Sequence, residues 1–115
     1  MKGILFADRN DDLLVTMKVF FEREGFFCFA TSSYEQAFQS LSMVTPDLIL
    51  LDFSDESTGY TMFSKLQKKP SYRSIPLVIT LAKNQQLTFP EAAHLTSIEK
   101  PFNFVELHRL LMSIS

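Results

Sequence analysis

Pro46-Asp47-Leu48-Ile49-Leu50-Leu51-Asp52 is the stretch on which the fold turns. Four consecutive apolar residues bounded by acids do not alternate, so they do not describe a strand with one wet face. Such a run suits a strand buried on both faces, the situation inside a parallel sheet. Working outward, Ile4-Leu5-Phe6-Ala7 is a second short apolar run that ends at Asp8, and Leu77-Val78-Ile79-Thr80-Leu81 is a third, led in by Ile75-Pro76. Phe26 to Ala30 is aromatic-rich and reads as a strand. Leu95 to Glu99 reads as the fifth.

The segments between these runs change period. Leu13, Leu14, Met17, Phe20 and Phe21 recur at helical spacing, as do Ala37, Phe38 and Leu41, then Met62, Phe63 and Leu66. Phe104, Val105, Leu107, Leu110, Leu111 and Ile114 form the last amphipathic stretch. Asn10 or Asp11 is the expected cap of the first helix, and Gly25 its left-handed terminator. Thr31-Ser32-Ser33 offers caps for the second helix, expected over Tyr34 to Met43. Phe53 to Thr58 reads as a polar loop closed by Gly59, followed by a helix over Tyr60 to Lys68 that Pro70 stops. Asn103 and Glu106 have the spacing of a capping box. Lys83 to His94 contains Pro90, so a helix there is expected to be short or irregular. Strands alternating with crossover helices imply an α/β fold with a parallel sheet covered on both faces.

Composition limits the classes of function. The chain has 115 residues, enough for one domain. With 46% hydrophobic and 21% charged residues it is globular rather than disordered. A net charge of -2 argues against direct nucleic-acid binding by this domain. Cys28 is the single cysteine, which excludes an internal disulfide and points to a small buried hydrophobe. No apolar run approaches the roughly 20 residues of a membrane span, and the opening run is too short for a secretory signal. A cytoplasmic domain is expected.

Three polar residues fall at the carboxyl ends of strands: Asp8, Asp52 and Lys100. Ligands of open parallel sheets bind beyond those ends. Two acids and a lysine at one rim can hold a cation and a phosphoryl group. A carboxylate there can accept the phosphoryl group covalently, and the lysine can neutralise its oxygens.

Taken in order, Ile4-Leu5-Phe6-Ala7-Asp8, Pro46 to Asp52, Ile75-Pro76-Leu77-Val78-Ile79 and Lys100-Pro101-Phe102 resemble the receiver domain of two-component response regulators, over nearly the whole chain. The resemblance implies a flavodoxin-like three-layer sandwich, its five-stranded parallel sheet in the order 2-1-3-4-5, with residues 1–115 as one receiver domain. It implies Asp52 as the phosphoacceptor and Lys100 as the phosphate-contacting lysine. It implies Asp8 as the first of two acids that organise Mg2+, with Asp52 and the backbone carbonyl of Ser54. A histidine kinase or phosphotransfer protein would be the donor, and the domain would not be an independent enzyme.

The departures from the family pattern are as specific as the matches. Arg9 stands where the family has its second acid, and a guanidinium cannot ligate a cation. Alignment through Ile75-Pro76 puts Leu81, not Thr80, at the position of the phosphate-binding hydroxyl. Ser97 replaces the aromatic residue of the fifth strand. The loop after Asp52 lacks the usual Met-Pro pair, and the segment from Leu81 to Lys100 is short. Arg9 reads either as an exposed residue at the start of the first helix or as a partner of Asp52 in place of the cation; Asp55 or Glu56 is an alternative metal ligand. Phe89, Phe102 and Phe104 are candidate interface residues. His94 and His108 are expected on the surface.

Two readings follow. One is a phosphorylation-dependent receiver. The alternative is a pseudo-receiver, a phosphorylation-independent interaction or dimerisation module that contacts a protein partner or itself through the 83–115 face. A flavin-type cofactor binder is disfavoured, because Gly3, Gly25 and Gly59 do not make a phosphate loop.

Overall fold

The computed structural model describes residues 2–89 and 95–114. At the centre of its sheet lie β1 (Gly3–Ala7) and β3 (Leu48–Asp52), paired in parallel with Ile4 opposite Leu48. β2 (Phe27–Thr31) flanks β1, and β4 (Leu77–Leu81) and β5 (Leu95–Glu99) continue from β3. All pairs are parallel and the order is β2-β1-β3-β4-β5, as expected from the sequence.

The helices divide between two faces. α1 (Asp11–Arg23) and α5 (Phe104–Ile114) cover one; α2 (Tyr34–Ser40) and α3 (Glu56–Gln67) cover the other. Strand alternation builds two cores. Ile4, Phe6, Leu48 and Leu50 meet Met17, Phe21, Leu107 and Leu111, whereas Leu5, Ile49 and Leu51 meet Ala37, Met62, Phe63 and Leu66. Every residue of β3 is buried, so its unbroken apolar run reflects packing on both sides.

Side chains fix the helix starts. Asn10, not Asp11, caps α1 by accepting the Leu13 N–H at 3.1 Å. Ser33 caps α2 and Asn103 accepts the Glu106 N–H. Gly25, at φ 92°, ends α1 in the left-handed conformation.

Several expectations are corrected. α2 stops at Ser40 rather than Met43. The stretch after β3 is not a loop up to Gly59. Asp55 caps α3 through the Thr58 N–H, the helix begins at Glu56, and Gly59 lies within it. Pro70 does not only stop a helix; it opens a one-turn helix, α4 (Pro70–Arg73), where its missing N–H costs nothing. After β4, residues 82–89 contain no helix. The rest of the expected fourth-helix region, with Pro90 and His94, lies outside the described residues.

The candidate interface phenylalanines are packed instead. Phe89 meets the Phe53, Tyr60 and Phe63 rings at centroid distances of 5.1, 5.4 and 5.1 Å. Phe102 and Phe104 lean on the α1/α5 core. His108 is not a bare surface residue either, since its ring lies among Phe20, Phe21 and Phe26.

Candidate functional site

Parallel strands deliver their carboxyl ends to one rim. There β1 delivers Asp8, β3 delivers Asp52, β4 delivers Thr80 and the turn after β5 delivers Lys100. Asp8, Asp52 and Thr80 are almost completely buried, at 3%, 4% and 1% exposure. Buried carboxylates need partners, and these have them. Lys100 Nζ donates to Asp8 Oδ2 at 2.7 Å and lies 3.2 Å from Asp52 Oδ1. Thr80 Oγ1 and Ser54 Oγ donate to the same Asp52 oxygen at 2.7 and 2.9 Å. The Asn10 N–H donates to Asp8 Oδ1 at 2.9 Å. The three residues expected to share a site, Asp8, Asp52 and Lys100, are thus brought together.

Burial lowers the pKa of Lys100, but the hydrogen bond and charge of Asp8, followed by those of Asp52, outweigh it and hold the ammonium above its ordinary value. Lys100 is therefore a fixed positive charge at the rim. Beside it opens a cleft of about 440 Å³ lined in part by Asn10, Ser54, Lys83 and Lys100.

Two expectations change here. The hydroxyl at the end of β4 belongs to Thr80. β4 pairs with β3 so that Thr80 stands opposite Asp52, and its side chain points into the site. Leu81 is one step further and packs against the α2/α3 core. Arg9 does not pair with Asp52. Its guanidinium donates from Nη1 to Asp55 Oδ2 and from Nη2 to Thr58 Oγ1, each at 3.0 Å. Asp55 is consequently a helix cap and a guanidinium partner. The backbone N–H of Thr58 is the main cause that holds its carboxyl below the ordinary range, with Arg9 a smaller one. Glu56 accepts from Gln85 Nε2 at 3.2 Å.

Receiver domains typically bind Mg2+ at the phosphorylation site, but the residues of this rim fit a divalent cation poorly. Both oxygens of Asp8 accept hydrogen bonds, Asp52 Oδ1 meets three donors, and the second family acid is Arg9. Among the described residues, no three His, Cys, Asp or Glu side chains are grouped to hold a metal.

Two residues at the site carry no signal in the sequence. The Tyr34 hydroxyl donates to the backbone carbonyl of Asp52 at 2.7 Å. Burial, then the charges of Asp52 and Asp8, push its pKa far above the ordinary phenol value, so it remains a donor. Gln85 Nε2 donates to the Phe53 carbonyl at 2.7 Å, tying the segment after β4 to the chain just past Asp52. Both bonds span distant parts of the chain, and neither residue type is diagnostic.

Residues 4–112 match the family model described as "Response regulator receiver domain". Among solved structures, a putative response regulator from Chloroflexus aurantiacus has 21% identity and a TM-score of 0.83, covering 98% of this chain and 96% of its own. The chemotaxis protein CheY4 of Vibrio cholerae has 17% identity and a TM-score of 0.84, covering 100% and 99%. A receiver domain from Methanoculleus marisnigri has 25% identity and a TM-score of 0.70, covering 99% and 94%. No curated protein matches the chain at a significant level. With the family model spanning nearly its whole length and the sheet in the order β2-β1-β3-β4-β5, the chain belongs to the response regulator receiver domain family.

Proposed function

We propose that this receiver domain, spanning residues 1–115, acts in phosphorelay signalling with Asp52 as the phosphoacceptor. A histidine kinase or phosphotransfer protein is its donor. The observation that carries the reading is convergence: one buried carboxylate oxygen meets an ammonium and two hydroxyls, all beside an open cleft. In the transfer, an Asp52 carboxylate oxygen attacks phosphorus and an O–P bond forms. The P–N bond to the donor imidazole breaks, its electron pair stays on nitrogen, and that nitrogen takes up a proton. Lys100 neutralises charge on the phosphoryl oxygens and Thr80 donates to one of them. The domain is a signalling module. Among the described residues, no helix is long and apolar enough to cross a membrane.

The test is intact mass after incubation with acetyl phosphate. Wild type is expected to gain one phosphoryl group and Asp52→Asn none. Equal incorporation in the two would assign the phosphoryl group elsewhere.

One observation favours the second reading, a pseudo-receiver that binds a protein partner or itself through its 83–115 face. Lys100 already bridges Asp8 and Asp52, so the charges of the rim are paired without a phosphoryl group. On that reading, a folded Asp52→Ala chain keeps its partner and its signalling; loss of both would exclude it.

A further inference from the structure

We propose that Arg9 closes this rim to divalent cations, and that an acid in its place opens a cation site. Asp8, Asp52 and Asp55 each already have a cationic partner. Lys100 takes Asp8 and Asp52 at 2.7 and 3.2 Å, and Arg9 takes Asp55 at 3.0 Å. Three carboxylates and two fixed cations leave one net negative charge. Arg9→Asp would leave three and free the carboxylate of Asp55.

Geometry points the same way. Mg2+ needs near-octahedral oxygens at roughly 2.0–2.1 Å and sheds its waters reluctantly. Here it would have to displace Lys100 or Asn10 from Asp8, and Lys100, Thr80 or Ser54 from Asp52 Oδ1. Arg9 is not a free side chain that swings aside. It is tied to the capping residue of α3 and to Thr58 in the first turn, and Asp55 Oδ2 is engaged by it while Oδ1 accepts the Thr58 N–H. A guanidinium also keeps its charge at any pH at which the protein is folded. Arg9 in the β1–α1 connection thus contacts the start of α3 in the β3–α3 connection.

The experiment is a Mn2+ titration of 15N-labelled protein, read as paramagnetic broadening of the amides of Asp8, Asp52 and Ser54. Wild type is expected to show no more local broadening than Asp52→Asn. Arg9→Asp should bind at least about tenfold more tightly than wild type, and Arg9→Gln, which removes charge without adding a ligand, should gain less. Wild-type binding as tight as that of Arg9→Asp would overturn the proposal. So would the absence of any gain in a variant whose spectrum shows the native fold. If Arg9→Asp does not fold, Arg9→Gln decides: tighter binding than wild type supports the proposal, equal binding overturns it.

A corollary rests on the phosphoacceptor reading. Acetyl phosphate should give the same wild-type adduct with EDTA as with Mg2+, and a strict Mg2+ requirement would overturn the proposal. Absence of an adduct in both buffers would count against the phosphoacceptor reading alone, while the Mn2+ titration still decides this one.

Discussion

Thr80 donates its hydroxyl to Asp52 Oδ1 at 2.7 Å, from the strand position directly opposite that aspartate. Counting from Ile75-Pro76 would give this place to Leu81. The sheet gives it to Thr80, because pairing to β3 rather than distance from Pro76 sets which side chain reaches the rim. Thr80→Val keeps the shape and removes the donor. A hydrogen bond to a charged group contributes about 1.5–3 kcal/mol, so phosphoryl incorporation at Asp52 should fall roughly tenfold or more. Adding Leu81→Thr to that variant should restore nothing, since a one-residue step along the strand faces the other layer. Rescue by Leu81→Thr, measured by intact mass, would return the role to position 81.

Tyr34→Phe tests how the backbone of Asp52 is held. The lost hydroxyl leaves the Asp52 carbonyl without that donor in a buried setting. Leaving a buried acceptor unsatisfied costs about 1–3 kcal/mol. A lower urea midpoint with an unchanged m-value is the expected result. An unchanged midpoint would mean that water or a neighbour replaces the bond without cost.

How much of this was legible in the sequence follows from the range of each interaction. β3 was legible because a double-sided burial site accepts only apolar residues, and Leu48 to Leu51 supply four in a row. Asp8 and Asp52 were legible because each closes such a run, whereas Lys100 follows the mixed, half-buried Leu95–Glu99 strand and is marked by the Lys100-Pro101-Phe102 turn instead. Thr80 is not legible by counting, because strand register is set by a neighbour 28 residues away, not by local spacing. Arg9 stands out in the sequence against the family pattern, but its partner does not follow from local spacing. Asp52 sits within the buried rim, whereas Asp55 and Thr58 lie at the α3 start that the exposed guanidinium reaches. Phe89 flanks the abbreviated fourth-helix region, which marks it as an interface candidate in the sequence; its ring packs against Phe53 from the 82–89 segment, a contact between residues far apart in the chain.

Gly59→Ala separates helix propensity from packing. Alanine favours a helix interior over glycine by about 1 kcal/mol, so local reasoning predicts stabilisation. At Gly59, however, a Cβ would stand 2.7 Å from the Phe53 ring. That ring is fully buried and is held edge-on by Tyr60 and Phe89, so it has little room to withdraw. Overpacking of this kind costs about 1–3 kcal/mol, and net destabilisation is expected from thermal unfolding. Stabilisation would show that Phe53 can move away. Phe53→Leu in the same background should recover part of the loss by clearing the ring atoms.

Cys28 offers a check on the opposite core, far from the rim. It is buried on β2 against the α1/α5 layer. Burial first, and the charge of Glu22 second, push its thiol up to about 11, against the opposing effect of Lys18. At pH 8 an ordinary thiol of pKa 9.0 is about one-tenth thiolate, and one at about 11 is about one-thousandth. Alkylation by iodoacetamide should therefore be about a hundredfold slower in the native chain than in urea, from thiolate fraction alone. The same shift fixes the sign of a pH effect. Between pH 9 and 11 the unfolded chain has released this proton and the folded chain has not, so stability falls as pH rises through that window. Cys28→Ala removes this contribution, and its urea midpoint should decline less than that of wild type over the same range. Native alkylation as fast as in urea, or parallel declines in the two proteins, would mean that the β2 side of this core opens to solvent.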